Sequence, residues 1–212
     1  MDRAEMARLA AIMADEGWEV NVEADLCRLV EAQPEKMEAI AQTKIVACHQ
    51  RTIKSHLDSL GLSSEENINF RSDPLQQILE RLGVENSSPS AENQKKYEQM
   101  IASLPVETGS DAWYPTLDKD RCTECGKCFD FCLFGVYAKE NGVVKVSNPT
   151  ACKIDCPACA RTCPQLAVIF PKYPKSPING GTELEETFSK EEKDEMYKQR
   201  ILYKLQQRRR KL

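Results

Sequence analysis

The amino-acid sequence predicts an α+β fold, and three patterns support that prediction. A strand–helix–strand–helix order within residues 1–84 indicates a small N-terminal α/β domain with parallel strands. Two runs of four cysteines within residues 122–163 indicate a compact metal-binding domain. The capping box Ser189-Lys-Glu-Glu192 indicates a C-terminal helix.

The predicted N-terminal domain alternates helical and extended segments. Apolar residues at helical spacing predict a helix over 2–14, and alternation predicts a strand over 18–22. Asp25 is a candidate N-cap for a second helix, and a short buried strand is predicted over 44–48. The remaining predicted elements are a helix through Ile53 that ends at Gly61, a strand over 67–70 and a helix over 73–82.

Two segments outside the cysteine-rich domain are predicted to connect or dock. Residues 85–112 are predicted to be a linker that contains a short helix over 95–104. Residues 177–212 are predicted to be an extended segment and a helix with one apolar stripe, which indicates docking on another subunit. The basic run 208–211 is typical either of nucleic-acid binding or of a solvated helix end, and the acidic start of this helix favours the second interpretation.

The cysteine spacing is the most informative feature of the chain. The first run is Cys122, Cys125, Cys128 and Cys132, and the second is Cys152, Cys156, Cys159 and Cys163. Two-residue gaps let three sulfurs of one loop reach the same iron–sulfur cube. The three-residue gap begins a helical turn that carries the fourth cysteine towards a different cube. The spacing therefore predicts iron–sulfur chemistry, in which single electrons are accepted and released.

Residues 113–173 resemble a bacterial-type ferredoxin domain with two [4Fe–4S] clusters, and the predicted domain spans 113–176. The resemblance implies two similar halves related by an approximate two-fold axis. It also implies that each half lends its last cysteine to the other half's cluster. The implied ligands are Cys122, Cys125, Cys128 and Cys163 for the first cluster, and Cys152, Cys156, Cys159 and Cys132 for the second.

This chain departs from the family pattern in two places. Three residues rather than two separate Cys152 from Cys156, and Leu133 rather than proline follows Cys132. The insertion enlarges a loop and leaves all eight ligands in place.

Strands and apolar side chains are predicted around the cysteines. Residues 113–117 and 166–170 are expected to be strands, and Asn141-Gly142 predicts a hairpin turn. Five apolar residues are expected to form a dry shell around the clusters. They are Phe129, Phe131, Phe134, Ile154 and Phe170.

Paired cysteines also occur in zinc sites and in disulfide-bonded domains. Two structural zinc sites with four thiolates each are the main alternative, although zinc ligands usually come as two pairs across a ribbon. A disulfide framework suits a secreted domain, and the start of this chain has no signal-peptide pattern. Thiolate-rich chains need a reducing compartment, so we expect a cytoplasmic protein.

Cys27 and Cys48 lie outside the two runs. The residues around them, within about 18–60, resemble the N-terminal region of the heterodisulfide reductase large subunit. One interpretation is that both are small buried side chains. The alternatives are a redox-active dithiol and a third cluster site, for which only His49 and His56 would supplement the pair. We expect His49 and His56 to be surface or helix-cap residues.

Composition sets the limits of the functional prediction. The chain carries a formal net charge of −4, and its longest apolar stretch is far shorter than a membrane span. We expect an electron-transfer protein of anaerobic metabolism that binds redox partner proteins, as a subunit of a larger oxidoreductase, and binds no nucleic acid. The alternatives are a thiol/disulfide oxidoreductase subunit that uses Cys27 and Cys48, and an assembly or sensing module. Without a flavin, nucleotide or molybdopterin motif, we expect no enzyme activity from the chain alone.

Overall fold

The computed structural model describes residues 2–84, 88–105, 112–181 and 198, which form two compact units. The first unit consists of the described residues of 1–50 and 64–108. The second consists of the described residues of 51–63 and 109–212. Helices and short strands occur together in the chain, as expected for an α+β fold.

The first unit combines helices with a parallel strand pair. Its helices are α1 (Arg3–Asp15), α2 (Leu26–Ala32), α3 (Lys36–Ala41), α5 (Leu75–Leu82) and α6 (Ala91–Ser103). Strands β1 (Ile45–Ala47) and β2 (Asn67–Asn69) pair in parallel, with Val46 opposite Ile68. Helix α4 (Gln50–Ser59) connects the two strands along the chain. The predicted parallel pair is therefore confirmed.

Local capping explains where several of these helices begin and end. The Asp2 side chain accepts the Glu5 N–H, which completes a capping box at the start of α1. The Asp25 side chain accepts the Cys27 N–H, so the predicted N-cap of α2 is confirmed. Helix α5 ends at Gly83, which adopts a left-handed conformation.

The core of the first unit forms on two faces of α1. Ile12 packs in one cluster with Ile68, Ile78 and Leu79, all of which are fully buried. The small residues Ala7, Ala10 and Ala11 pack in a second cluster against Tyr97 and Ile101 of α6. Alanines on this face of α1 allow the two helices to approach closely.

Two predicted elements of the first unit differ from the structure. Residues 18–22 form no strand, because a strand requires a hydrogen-bonded partner that alternation alone cannot supply. Val20 and Val22 instead pack against the alanine cluster of α1. Helix α6 begins at Ala91 rather than at residue 95, because Ser90 caps it by accepting the Asn93 N–H.

The second unit carries all eight cysteines of the two runs. Besides α4, its elements are β3 (Thr116–Leu117), α7 (Lys127–Phe131), β4 (Tyr137–Glu140), β5 (Val143–Val146), a 3₁₀ turn (Pro149–Ala151), α8 (Ala158–Thr162) and β6 (Val168–Ile169). Strands β4 and β5 form the predicted hairpin, with positive φ at Asn141 and Gly142. Strand β3 pairs antiparallel with β6, which joins the two ends of the cysteine-rich segment.

Helix α4 belongs to the same compact unit as the cysteines. The Arg51 side chain donates to Asp118 Oδ2 at 2.8 Å and to the Leu166 carbonyl at 2.9 Å. The Thr52 hydroxyl donates to the Asn179 carbonyl at 2.8 Å. The sequence-based division into domains at residue 84 did not include this packing, and those boundaries remain a prediction.

The predicted C-terminal helix lies outside the described residues, apart from Lys198. The predicted linker over 85–112 also lies partly outside them. Among the described helices, none combines the length and the apolar character needed to span a membrane.

Candidate metal centre

The eight cysteines of the two runs line two cavities in the second unit. The first cavity, of about 340 Å³ including space open to solvent, is lined by Cys122, Cys125, Cys128 and Cys163. The second cavity, of about 320 Å³, is lined by Cys132, Cys152, Cys156 and Cys159. Each cavity thus receives three cysteines from one run and the fourth from the other run. These are the two groups that the family resemblance implies, and their role as ligands stays a prediction.

Two five-residue helices produce this exchange of cysteines. Helix α7 contains Cys128 and ends at Cys132, and α8 contains Cys159 and ends at Cys163. Cys132 and Cys163 both leave the helix with extended backbone, at φ −70° and −74°. The fourth cysteine of each run lies beyond the last helical residue, and it lines a different cavity from the third.

The loops before these helices also correspond between the two halves. Glu124 and Asp155, each immediately before the second cysteine of its run, have φ values of 53° and 58°. The left-handed conformation reverses the chain direction at both positions. In the first half, the Glu124 carboxylate accepts the Val144 N–H at 2.5 Å, which ties the loop to strand β5.

Burial controls the protonation of the cysteine thiols. Burial, reinforced by the neighbouring Cys163 sulfur, raises the pKa of Cys128 to about 12. Burial and the neighbouring Cys156 raise the pKa of Cys152 to about 12. The pKa of Cys159 is also raised, mainly by burial. Thiols with these pKa values keep their protons at neutral pH, so metal coordination must displace the protons.

Hydrogen bonds from other residues reach cysteine sulfurs in both cavities. The Tyr137 hydroxyl donates to Cys159 Sγ at 3.1 Å, and both side chains are buried. The Ala167 N–H donates to Cys163 Sγ at 3.3 Å. Burial, followed by the charge of Cys159, raises the pKa of Tyr137 well above its usual value, so its hydroxyl remains a donor.

The sequence-based prediction missed the Tyr137 contact and treated this residue only as part of a strand. A comparison of the two halves of the cysteine-rich segment shows which sequence feature could have revealed this contact. Tyr137 follows Cys132 by five residues, and Val168 follows Cys163 by five residues. A hydroxyl at a position that is aliphatic in the other half indicates a polar contact specific to one cavity.

The prediction that five apolar residues form a dry shell around the clusters is only partly correct. Phe131 and Phe170 are buried, whereas Phe129, Phe134 and Ile154 are 40–52% exposed. Phe129 and Phe131 lie two positions apart on α7 and therefore face opposite sides of the helix. Ile154 lies in the enlarged loop between Cys152 and Cys156, where residues 153–155 are exposed.

The arrangement of the sulfurs fits a polynuclear centre. Among the described residues, no three His, Cys, Asp or Glu side chains are arranged so that they could hold a single metal ion. Four sulfurs nonetheless surround each cavity, as a [4Fe–4S] cluster with four cysteine ligands requires. A zinc ion, by contrast, draws its four sulfurs to about 2.3 Å from one point.

The remaining cysteines and the histidines occupy different environments. Cys27 is buried on α2, and Cys48 is partly buried after β1, both in the first unit. All ten cysteines lie in the described residues, and none of them forms a disulfide. His56 is 1% exposed and packs edge-on against Tyr114 at 5.8 Å, so the predicted surface position is wrong. As the third residue after buried Ile53, His56 shares the buried face of α4.

Comparison with known proteins identifies the family to which the chain belongs. The chain is 33% identical over 79 residues to Ferredoxin-3 of Nostoc sp., and it covers 80% of that protein. The chain belongs to the ferredoxin family. It is also 48% identical over 61 residues to an uncharacterized ferredoxin of Methanocaldococcus jannaschii. A third relative is the pyruvate synthase subunit PorD of Thermotoga maritima, with 35% identity over 54 residues.

The matches to ferredoxins concern part of each protein. They cover 26–28% of this chain, 42% of the Methanocaldococcus ferredoxin and 54% of PorD. No family model matches the chain, and no solved structure matches it significantly. Family membership implies an iron–sulfur domain with a role in electron transfer. Each of these matches leaves more than two thirds of the chain outside the aligned segment.

Proposed function

We propose that the chain binds two [4Fe–4S] clusters and passes single electrons between larger redox enzymes. The observation that carries this proposal is the presence of two cavities, each lined by four cysteines from both runs. A bound [4Fe–4S] cluster supplies a reversible one-electron couple whose potential depends on charge, hydrogen bonding and solvent exposure.

The residues of the chain would bind and shield these two centres. In this proposal Cys122, Cys125, Cys128 and Cys163 are the ligands in the first cavity, and Cys132, Cys152, Cys156 and Cys159 are the ligands in the second. Buried Val144 and Val168 line the first cavity, and buried Phe131 and Val136 line the second. These side chains exclude water from one side of each centre, which alters its potential.

The proposal includes a role as a subunit of an oxidoreductase complex in the cytoplasm. One relative is by name a subunit of pyruvate synthase, which supports partnership with a larger redox enzyme. The chain also contains a separate folded unit besides the one that carries the cysteine runs. We infer that this additional unit binds the partner enzyme. An electron carrier that diffuses freely would not need a separate unit for this purpose.

Metal analysis tests the proposal directly. After strictly anaerobic purification of the full chain, we expect about eight iron and eight acid-labile sulfide atoms per chain. Titration with dithionite should then reduce two one-electron centres reversibly, as measured by electron paramagnetic resonance. Zinc in place of iron would contradict electron transfer. About four iron atoms would contradict a two-cluster protein, and iron that cannot be reduced reversibly would favour a structural or sensing role.

A further inference from the structure

The hydroxyl of Tyr137 contacts one of the cysteine sulfurs in the second cavity. Its oxygen lies 3.1 Å from Cys159 Sγ, and the two residues are 5% and 7% exposed. Tyr137 also forms part of the wall of this cavity. Its ring packs in the same apolar cluster as Val136 and Phe170, which restricts the positions available to the hydroxyl.

The direction of this hydrogen bond follows from the chemistry of the two groups. A cysteine that ligates iron is a thiolate and has no proton to donate. The tyrosine hydroxyl must therefore donate, and the sulfur must accept. Because the pair is removed from water, the hydrogen bond is electrostatically stronger than it would be at the surface.

The corresponding position of the other half has no hydroxyl. Val168 stands where the first half has Tyr137, and it lines the first cavity. The first-cavity sulfurs instead receive hydrogen bonds from backbone N–H groups, among them that of Ala167 to Cys163 Sγ at 3.3 Å. The Tyr137 hydroxyl thus distinguishes two cavities that have the same number of cysteine sulfurs.

We propose that the Tyr137 hydroxyl selectively raises the reduction potential of the cluster in the second cavity. This inference rests on the proposed function, since it requires clusters in both cavities. Reduction adds one negative charge, part of which is shared by the ligand sulfurs. A donated hydrogen bond stabilises the more negative state more strongly, which favours reduction. Tyr137 thereby offsets the apolar wall of the second cavity, which disfavours added charge.

The variant Tyr137→Phe tests the proposal, because it removes the hydroxyl and keeps the ring. We expect the reduced-to-oxidised ratio of one cluster to fall about tenfold at a fixed potential, the effect of losing one hydrogen bond to a charged acceptor. For a one-electron couple this is a decrease of about 59 mV. The other cluster should keep its potential, and iron and sulfide contents should equal those of the wild type.

The matched control is Tyr173→Phe in the same unit. The Tyr173 hydroxyl accepts a hydrogen bond from Arg161 Nη2 at 3.1 Å rather than donating to a sulfur. This variant makes the same chemical change, and we expect a smaller shift in both potentials. An equal decrease in both variants would overturn a specific role for Tyr137.

A second substitution should shift the reduction potential in the opposite direction, and it keeps the tyrosine hydroxyl. Incorporation of 3-fluorotyrosine at position 137 makes the hydroxyl a stronger donor, so the potential of the same cluster should rise. Unchanged potentials in both Tyr137 variants, with two intact clusters present, would overturn this inference and leave the proposed function standing. Absence of iron from the wild-type protein would instead refute the proposed function.

Discussion

The two cavities contain four cysteines each and differ in the side chains that complete their walls. The first cavity is lined by the apolar Leu117, Val144, Ala167 and Val168 and, in addition, by Thr123, Lys127 and Gln165. The second has Phe131, Leu133, Phe134, Val136 and Tyr137. Equal sets of sulfur donors can therefore be placed in unequal surroundings by a chain with two similar halves. The half-to-half correspondence thus extends to the positions of the cysteines but not to the other side chains that line the cavities.

Exposure of the cysteines varies within each cavity. In the first cavity Cys125 is exposed, Cys122 is partly buried, and Cys128 and Cys163 are buried; in the second, Cys159 is buried and the other three cysteines are partly buried. The exposed Cys125 would give water access to a cluster in the first cavity, which would favour its reduced, more negative state. The second cavity has an apolar wall and one buried hydroxyl donor. Each feature is a target for substitution, and the ligands themselves give the largest expected effect.

Replacement of the exchanged cysteines tests how the chain assigns ligands to the cavities. We expect Cys163→Ala and Cys122→Ala to lose the same cluster, although the two residues lie 41 positions apart in the sequence. Cys132→Ala and Cys156→Ala should lose the other cluster. Iron per chain should fall from about eight to about four in each variant.

Electron paramagnetic resonance of the reduced variants identifies the surviving cluster. Cys163→Ala and Cys122→Ala should retain one spectrum, and Cys132→Ala and Cys156→Ala should retain a different one. A shared spectrum for Cys163→Ala and Cys156→Ala would contradict the exchange of ligands, since both lie in the second run. Loss of both clusters in every variant would show that the two sites assemble only together.

The contact between Arg51 and Asp118 tests whether α4 supports the first cavity. Asp118 is 7% exposed, and its backbone N–H donates to the carbonyl of Ala167, a residue that lines this cavity. Arg51→Ala leaves a buried carboxylate without its nearest cation, so we expect a loss of about 2–3 kcal/mol in the free energy of unfolding. Anaerobic guanidinium titration followed by circular dichroism measures this loss. The first-cavity cluster should also decay faster on exposure to air.

Lys54→Ala is the matched control on the same helix. Lys54 pairs with Asp58 at 2.7 Å and with Asp120 at 3.0 Å, but its side chain is 50% exposed. We expect a change below about 1 kcal/mol, because solvent-exposed ion pairs contribute little. Equal losses for Arg51→Ala and Lys54→Ala would indicate that α4 contributes only helix stability.

The sequence was sufficient to predict the elements that depend on local chemistry. Asp25 caps α2, Asn141-Gly142 turns the hairpin, and Gly83 ends α5, as the residue types predict. The spacing within each cysteine run also reflects local geometry. The third and fourth cysteines of each run line different cavities, the separation predicted from the three-residue gap between them.

Long-range packing accounts for what the sequence did not reveal. The alternation over 18–22 predicted a strand, but no sequence pattern shows whether a partner strand lies alongside. The contacts of Arg51 with Asp118 and Leu166 join residues that are 67 and 115 positions apart. The Tyr137–Cys159 contact likewise joins the two halves. Such pairs depend on the assembled fold rather than on the residues next to them.

Surface charge should have the smallest effect on the difference in reduction potential between the clusters of the two cavities. Lys127 lies between the second and third cysteines of its run and is exposed, and Ala158 holds the corresponding position in the second run. Lys127→Ala should lower the potential of the first-cavity cluster, and Ala158→Lys should raise that of the second-cavity cluster. At the surface each effect is worth less than about 1 kcal/mol, because water weakens the Coulomb interaction.

Ionic strength separates this surface effect from the buried hydrogen bond. The Debye length shortens from about 10 Å at 0.1 M salt to about 3 Å at 1 M, so the Lys127→Ala and Ala158→Lys shifts should shrink at high salt. The Tyr137→Phe shift should persist, since the hydroxyl and the Cys159 sulfur are buried together. Redox titrations of the three variants at both salt concentrations measure this difference. A Tyr137→Phe shift that disappeared at high salt would mean that solvent reaches the pair, which would contradict the buried hydrogen bond on which the inference rests.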